Sequence, residues 1–474
     1  MEAPYRAAYG GGGLAVSYYF PLGLGYLAAY LEKQGRRVEL LVESPRVEFW
    51  AELNARLRQH AYLCVGISSM TSAFPQALRI ARLVKQHAPA TPVVAGGAHV
   101  SGVGAAALEA HAEIDFLVLG EGEITLWELA RWLNAETDAE PTQIAGLAWR
   151  NAAGTVMRNA PRGFHPTLDD FPPPARHLTQ FTDFALHAHT TGGGGRGATM
   201  LSSRGCPFGC LFCSAHLTDG KKYRVRSIDA ILAELRELRD RYEVRYVFFE
   251  DDVITVMRKR LLALCAAIVE ADLQMTFGCF STVEHFDEEL ARTMSRAGFR
   301  LVIFGMESGD AQILAQLGKG KGATLDDARA AVARCRRYGM RSFASFVVGF
   351  PFESVAQIER TFAFGRALRP SLLTFNPLTP FPGTPLFDPQ RHTPAHADGW
   401  ADFVTTRALP FDMNPELSAS QLMQRVQRAH LRYYLHPLTL WRMLREIRSW
   451  GEIQALLVGF LGLLARLFGA RRAA

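Results

Sequence analysis

Three cysteines lie close together in the sequence RGCPFGCLFC, at Cys206, Cys210 and Cys213. Closely spaced thiolates hold iron–sulfur clusters, and three of them on a [4Fe–4S] cluster leave one iron open for a non-protein ligand. The glycines and the proline between them let a short loop fold back, so that the sulfur atoms can converge. Zinc stays an alternative, although closed zinc sites use four ligands, commonly in two separated pairs. The spacing therefore favours an iron–sulfur cluster.

The remaining four cysteines, Cys64, Cys265, Cys279 and Cys335, stand alone in apolar or helical stretches. We expect them to pack as small hydrophobic side chains. An odd total of seven cysteines argues against a disulfide framework. This cysteine usage is typical of a reducing cytoplasm. The N-terminus has no basic segment followed by an apolar run, so no signal peptide is predicted.

Composition describes a core-forming globular protein of two or three domains. The chain has 474 residues, of which 49% are hydrophobic and 21% are charged. These values exclude a disordered chain. The net charge of +6 is mild for this length, and no basic stripe or binding motif is present, so no nucleic-acid partner is expected.

The cysteines follow the first of a series of strands that alternate with helices from Ala198 onward. This alternation predicts a partial (β/α)6 barrel, in which functional residues lie at the carboxyl ends of the strands. Acids or glycines stand at three such ends: Glu250, Asp251 and Asp252; Glu307 and Ser308; and Gly349. Each group also has an alternative interpretation without a binding role. The acids at 250–252 could cap a helix, Glu307 could be an ordinary loop acid, and Gly349 could belong to a plain turn. Their recurrence at successive strand ends favours a binding role.

The first part of the chain also alternates strands with helices. Strands are predicted at 38–42, 62–68, 92–97 and 116–119, which gives a parallel sheet with helices on both faces. Ligands bind such sheets at the carboxyl ends of the strands. Glycines there could merely permit tight turns, but three successive ends with small or polar residues suggest a ligand across the edge. These strand-end residues are Ser68, Ser69, Met70, Gly96, Gly97, Gly120, Glu121 and Gly122.

The cysteine motif resembles the signature of the radical S-adenosylmethionine (SAM) superfamily, C-x3-C-x-aromatic-C. The resemblance implies that Cys206, Cys210 and Cys213 ligate the catalytic [4Fe–4S] cluster, whose open iron chelates SAM. It also implies that the acidic turn at 250–252 lies near the methionine amino group of SAM. Glu307 would accept from ribose hydroxyls, and Gly349 would lie near adenine. The segment TPFPGTPL at 379–386 is similar to the family element that closes this domain.

The N-terminal strand ends resemble those of cobalamin-binding domains fused to radical SAM domains. Ser68-x-Met70 stands where that family has S-x-L, and Gly96-Gly97 stands where it has a glycine pair. The motif D-x-H-x-x-G, which supplies a histidine ligand to cobalt, is absent. We therefore expect His99 to donate a hydrogen bond to a corrin amide, not to ligate cobalt. The first strand expected of the family is also missing from 1–19.

The expected fold is α/β, with an N-terminal doubly wound parallel-sheet cobalamin-binding domain, a partial (β/α)6 radical SAM barrel and a helical C-terminal tail. The predicted boundaries are 1–135, a linker at 136–195, 196–390 for the barrel and 391–474 for the C-terminal region. The linker contains a predicted hairpin at 144–157 and a glycine-rich hinge at 190–195.

The C-terminal region has an amphipathic, arginine-rich helix at 421–434 and an uninterrupted apolar run at 455–465. The run is too short to span a membrane. Two interpretations stay open: a helix packed on the barrel, or an interfacial helix on a membrane surface or beside a lipophilic substrate. The expected location is cytoplasmic, with membrane association as the alternative.

The resemblance implies cleavage of SAM to a 5′-deoxyadenosyl radical, and our leading prediction is methylation of an unactivated carbon with cobalamin as the methyl donor. Radical oxidative cyclisation or rearrangement of a porphyrin-like or lipophilic substrate is the alternative. A further alternative is a sensor that binds cobalamin and the cluster but catalyses no reaction. The expected partners are a small-molecule substrate and an electron donor such as flavodoxin or ferredoxin.

Overall fold

Two sheets, one for each predicted α/β unit, carry the fold. The computed structural model describes residues 20–44, 47–181, 196–318, 323–447 and 453. Three regions lie outside the described residues: 1–19, from which the family's first strand was expected to be missing, the glycine hinge at 190–195 and the apolar run at 455–465.

The N-terminal sheet has five strands in the order β1-β2-β3-β4-β5. Strands β1 (Val65–Ser68), β2 (Val93–Gly96) and β3 (Phe116–Val118) are parallel, as predicted. Strands β4 (Leu147–Arg150) and β5 (Val156–Arg158) form the predicted hairpin, but they extend this sheet in antiparallel fashion. The segment expected to be a linker therefore completes the edge of the N-terminal sheet.

The strand predicted at 38–42 is wrong, because the structure has no strand between 36 and 43. The apolar run that suggested it is nevertheless buried, since Leu40, Leu41 and Val42 are each less than 10% exposed. Burial explains an apolar run by itself, whereas a strand also needs a neighbour whose backbone groups pair in register.

Helices flank this sheet on both faces. Phe74–His87 shows why they form: Pro75 occupies the first turn, where its missing N–H costs nothing, and Ala77, Ile80, Ala81 and Val84 give one buried face. The other N-terminal helices are Leu22–Lys33, Phe49–Gln59, Ala98–Val103, Ala106–Ala110 and Glu123–Leu133.

The second sheet is the predicted six-stranded parallel half-barrel. Its strands are β6 (Arg196–Met200), β9 (Val244–Phe249), β10 (Thr276–Ser281), β11 (Phe299–Glu307), β12 (Arg341–Val348) and β13 (Leu372–Pro377), in that spatial order. A short antiparallel ribbon of β7 (Ser203–Arg204) and β8 (Arg224–Val225) frames the cysteine segment.

Helices follow the barrel strands, and several begin at side-chain caps. Ser227 accepts from the amide of Ala230, and Thr324 and Ser354 form capping boxes. The helices are Ile228–Arg241, Arg258–Glu270, Glu288–Arg296, Ala311–Gln316, Leu325–Arg337 and Val355–Leu368. Except for Ala311–Gln316, their apolar faces share one core with Phe249, Phe277 and Phe299, whose rings lie 5.4–5.9 Å apart.

The predicted C-terminal helix is present as Ala419–Tyr434 and covers the edge strand β13. The amide of Leu373 donates to the Tyr434 hydroxyl at 3.0 Å, and the amide of Phe375 donates to His430 Nε2 at 2.9 Å. Side chains thus occupy edge groups that would otherwise be open to pairing with another chain. The helices Pro389–His392 and Pro437–Glu446 complete this region. Among the described residues, none of the helices combines the length and the apolar character that a membrane span requires.

Candidate active site

The three cysteines lie on a loop that leaves β7 at the carboxyl end of the barrel strands. Gly205 has φ +94°, and a Cβ there would come within 2.3 Å of the Lys222 carbonyl oxygen, so the approach to Cys206 requires glycine. The amide of Cys206 donates to Gly220 O at 3.0 Å, and the amide of Cys213 donates to Cys210 O at 3.1 Å. Backbone bonds thus fix the loop on both sides.

These cysteines differ from the other four in their surroundings. Cys206, Cys210 and Cys213 are partly exposed, whereas Cys265, Cys279 and Cys335 are buried. Burial raises the pKa of Cys265 to about 12 and that of Cys64 to about 11, which disfavours their thiolates. Cys279 is fully buried, and its pKa is also raised by burial.

The donor set of this loop fits a [4Fe–4S] cluster with one open iron. Three soft thiols lie within one short, partly exposed loop, which is the ligand chemistry that such clusters use. Among the described residues, no three His, Cys, Asp or Glu side chains are already arranged as a metal site.

Asp251 was predicted to be part of a SAM-binding turn, but its carboxylate is hydrogen-bonded within the protein. Its carboxylate is 0% exposed and accepts from the Ser202 amide at 3.1 Å, the Ser202 hydroxyl at 2.8 Å and the Ser203 hydroxyl. Burial raises its pKa, against the effect of these donors. Asp251 therefore anchors the backbone that leads into the cysteine loop.

The two acids beside it have a different character. Burial, followed by the charge of Asp251, raises the pKa of Glu250 to about 7. Burial, followed by the charges of Asp219 and Asp251, raises the pKa of Asp252 to about 7. Both carboxyl groups can therefore change charge near neutral pH, as groups in binding or catalytic clefts often do.

Glu307 ends β11 in a strained conformation. Its φ of +59° is left-handed, and a register shift separates it from Gly305. Such a backbone costs about 1–3 kcal/mol and tends to persist at functional sites. The next residues are fixed by helix Val355–Leu368: the Ser308 hydroxyl lies 3.1 Å from Thr361 Oγ1, and the Gly309 amide donates to it at 3.0 Å.

Gly349 turns the chain after β12. It has φ +90°, and its amide donates to Glu353 Oε2 at 2.7 Å, as does the Phe350 amide at 3.2 Å. Burial raises the pKa of Glu353 to about 7, although these two amides favour its ionised form. Glu353 therefore shapes the turn that was predicted to lie near adenine.

The N-terminal strand ends open into a cleft with a cavity volume of about 480 Å³. Its lining includes six predicted residues: Ser68, Gly96, Gly97, Gly120, Glu121 and Gly122. Arg204, Thr218 and Asp219 also line the cleft, although they come from the cysteine-loop region. The cleft is therefore shared between the N-terminal sheet and the barrel. Its size and glycine-rich strand ends fit an extended organic group such as the nucleotide tail of cobalamin.

Three predicted N-terminal residues lie outside this lining. Met70 is 55% exposed, whereas Ser69 is buried and its amide donates to Gly96 O. His99 is 1% exposed, with its ring centroid 4.1 Å from Phe74 and 4.8 Å from Trp400. Burial lowers its pKa to about 3. The structure thus places the His99 imidazole in an aromatic cluster.

A buried network of charges joins the N-terminal sheet to the cysteine loop. Arg204 donates to Glu121 at 3.0 Å and to Glu123 at 2.7 Å, and Arg224 donates to Glu121 at 2.8 Å. Burial disfavours the charged guanidinium, but Glu123 and Glu121 outweigh this effect and raise the pKa of Arg204. Its guanidinium carbon also lies 4.8 Å from the Tyr26 ring. We call Glu121, Glu123, Arg204 and Arg224 the interdomain clamp.

Sequence reasoning missed three features of this site. It assigned no role to Glu123, Arg204 and Arg224, whose pairing has no sequence signal, because the partners are 81 to 103 residues apart. It placed the segment G-F-P-x-E near adenine, but it did not predict that Glu353, the last residue of that spacing, accepts from the Gly349 and Phe350 amides. It also passed over Glu284, which stands three residues beyond the end of β10.

The sequence matches two family profiles. The B12 binding domain matches residues 12–130, and the radical SAM superfamily matches residues 200–365. This chain therefore carries the two domains that cobalamin-binding radical SAM enzymes combine. A [4Fe–4S] cluster, SAM and cobalamin are therefore its cofactors.

Relatives of this cobalamin-binding radical SAM protein include several methyltransferases. The chain is 28% identical over 418 residues to an uncharacterized methyltransferase of Pyrococcus horikoshii, with 88% of each chain covered. It is 27% identical to the cytidylyl-2-hydroxyethylphosphonate methyltransferase of Streptomyces wedmorensis, with 77% of each covered. It is also 25% identical to the anaerobic magnesium-protoporphyrin IX monomethyl ester cyclase of Rubrivivax gelatinosus, covering 77% of this chain and 65% of that protein.

A solved structure shares the fold. The radical SAM methyltransferase TsrM from Kitasatospora setae, solved with cobalamin and a [4Fe–4S] cluster, superposes with a TM-score of 0.65. The two chains are 21% identical, and the match covers 78% of this chain and 71% of that one. This likeness concerns the fold, in which a B12 binding domain is combined with a half-barrel. The family profiles and the methyltransferase relatives show that the protein is an enzyme of the radical SAM class.

Proposed function

We propose that this enzyme methylates an unactivated carbon of a small molecule that enters the mouth of the half-barrel. The observation that carries the proposal is the shared cleft: the glycine-lined strand ends and the residues beside the cysteine loop line one cavity. In the proposal, this arrangement would hold cobalamin next to the region where a radical would form. The methyltransferases among the relatives support this choice.

In this proposal Cys206, Cys210 and Cys213 hold the cluster. When bound, the reduced cluster supplies radical chemistry through SAM cleavage, and cobalamin supplies the methyl group. Asp251 fixes Ser202 and Ser203 and so orients the backbone that enters the cysteine loop.

Three other strand ends would bind SAM. Glu307 is 7% exposed and ends β11 with a left-handed backbone conformation, and it would accept hydrogen bonds from ribose hydroxyls. Gly349 would border adenine, in a turn that Glu353 holds. Glu250 and Asp252 would face the methionine end, where an ionised carboxyl group favours an ammonium group.

The N-terminal residues of the cleft would hold cobalamin. Gly96, Gly97 and Gly120 present no side chains, which leaves room for the nucleotide tail beside the sheet. Met70 is exposed and could contact the outer rim of the corrin. Ser68 lines the cleft and offers a hydroxyl to a polar group of the tail.

Isotope labelling tests the proposal. The anaerobically reduced, cobalamin-loaded enzyme would be incubated with a small-molecule extract and SAM labelled in its methyl group. Mass spectrometry should find the label in a product, together with 5′-deoxyadenosine. A product without the label would favour oxidative cyclisation or rearrangement, which the Rubrivivax relative makes the second candidate. No 5′-deoxyadenosine under any condition would indicate a sensor without turnover.

Two further partners belong to the proposal. The cluster needs an electron, and a flavodoxin or ferredoxin is the expected donor. The helix Pro437–Glu446 exposes Leu438, Trp441 and Leu444 by 49–66%, which favours contact of the C-terminal region with a membrane surface or a lipophilic substrate. Cosedimentation with anionic vesicles tests the membrane contact, and its absence would leave only the substrate.

A further inference from the structure

One buried carboxylate at the barrel mouth, that of Glu284, accepts no hydrogen bond from the residues that the structure describes. Glu284 lies in the loop after β10, and its side chain is 17% exposed. Both carboxylate oxygens are shielded from solvent, and neither receives a hydrogen bond among the residues that the structure describes. An unpaired buried charge of this kind is costly, so a specific reason for retaining it is expected.

The neighbouring histidine does not relieve this charge. His285 Nδ1 lies 3.8 Å from Glu284 Oε1, which is beyond hydrogen-bond distance. The same nitrogen lies 2.8 Å from Thr282 Oγ1 and is engaged there. The acids that follow are all paired: Asp287 with Arg258, Glu288 with Arg337, and Glu289 with Arg258. Glu284 is therefore the exception in its own segment.

The position of Glu284 places it beside the reaction region. Its loop leaves the carboxyl end of β10, and Ser281 at that end lies 3.0 Å from Thr255 of the neighbouring strand-end loop. The adjacent His285 ring lies 6.0 Å from the Phe208 ring, which stands between Cys206 and Cys210. The Glu284 loop and the cysteine loop therefore meet at the same end of the barrel, where ligands bind such folds.

We propose that Glu284 binds a protonated amine of a ligand in the barrel mouth. An ammonium group supplies both the hydrogen-bond donors and the positive charge that this carboxylate lacks. Two sources share this chemistry, the amino group of SAM and an amino group of the substrate. Asp251 is excluded from this role by its bonds to Ser202 and Ser203. The inference rests on the proposed function, since it takes the barrel mouth as the reaction site.

The test compares Glu284→Gln with the control Glu289→Gln, which removes an exposed acid of the next helix. Iron content is measured first, and both variants should keep the cluster. SAM affinity is then measured by anaerobic titration. Methylammonium is the second probe, followed through the broadening of its proton resonance by the reduced, paramagnetic cluster.

Each outcome decides a point. Weakening of SAM binding by about 10- to 100-fold in Glu284→Gln alone assigns the SAM amino group. Unchanged SAM binding with loss of the methylammonium broadening assigns a substrate amine. No change in either probe overturns the inference. If Glu284→Gln lost the cluster, Glu284→Asp would replace it, because it keeps the charge but shortens the reach. A wild-type enzyme that bound no SAM would instead refute the proposed function.

Discussion

Removal of Arg204 tests whether the interdomain clamp holds the two cofactor regions together. The Arg204→Ala change leaves Glu121 with Arg224, but it leaves Glu123, which is 4% exposed, without its guanidinium partner. Breaking a buried pair by removing one partner costs about 3–5 kcal/mol. Because Glu121 keeps a partner, we expect the lower end, about 3 kcal/mol. Lost contact with the Tyr26 ring adds up to about 1 kcal/mol.

Hydrogen exchange is the suitable assay, because a two-domain protein with cofactors does not unfold in one step. Peptides from 119–125 and 203–226 should exchange about 100-fold faster in Arg204→Ala, as expected for a loss of about 3 kcal/mol in opening free energy. Peptides from β12 should be unaffected. The control Arg82→Ala removes an exposed pair with Glu113 and should change protection by less than about 0.5 kcal/mol.

A double-mutant cycle with Glu123→Gln separates the clamp from a general packing defect. If the pair acts as argued, the double variant should lose less than the sum of the single variants, by about 1–3 kcal/mol. Additive effects, or unchanged exchange in Arg204→Ala, would refute the reasoning. Cobalamin should slow hydrogen exchange in these peptides, and this increase in protection should be smaller in Arg204→Ala than in the wild type, since Arg204 also lines the cleft.

Four further expectations concern the cofactor sites. Cys210→Ala should lose the iron and SAM cleavage, whereas Cys279→Ala should keep the iron; the reverse pattern in an iron assay would overturn the ligand assignment. Glu307→Ala should weaken SAM about 10- to 100-fold in anaerobic titration, and unchanged affinity would place it outside the site. Since burial raises the pKa of both Glu250 and Asp252 to about 7, SAM should bind more tightly as the pH rises from about 6 to about 8; Glu250→Gln should weaken this pH dependence, and Glu250→Gln combined with Asp252→Asn should abolish it. His99→Ala should leave the electron paramagnetic resonance spectrum of bound cob(II)alamin unchanged. If the wild-type spectrum showed nitrogen splitting that His99→Ala removed, His99 would be a ligand of cobalt.

The sequence predicted the parts of the fold that depend on local periodicity. The half-barrel strands, the hairpin at 144–157 and the helix at 421–434 follow from apolar patterns and turn residues, and each is present. The strand at 38–42 failed because an apolar run records burial but not backbone pairing. The sequence also did not predict that the hairpin joins the N-terminal sheet. The pairing of β3 with β4 depends on residues far apart in the chain, and no local sequence pattern marks it.

For the site, too, the sequence predicted the features that are local in the chain and missed the partners that are distant. Spacing along the chain marked the cysteines and the strand-end acids, since these belong to single loops. It did not show that Asp251 accepts hydrogen bonds from Ser202 and Ser203, which precede it by 49 and 48 residues. It also did not show that Glu121 pairs with Arg224, which is 103 residues away. Roles that depend on a distant partner emerge only when the sheets bring the loops together.

These partners also divide the buried acids into two classes. Glu234 is 0% exposed and lies between Arg176 at 2.8 Å and Arg226 at 2.5 Å, so its charge is used within the fold. Asp251 likewise uses its carboxylate to hold two serines. Glu284 has comparable shielding of its oxygens but no donor among the described residues. Since all three stand on or beside barrel elements, composition cannot separate them; only the presence or absence of a donor does. A buried acid whose charge the fold satisfies contributes to architecture, and one whose charge it leaves unmet is where a ligand's donor is expected.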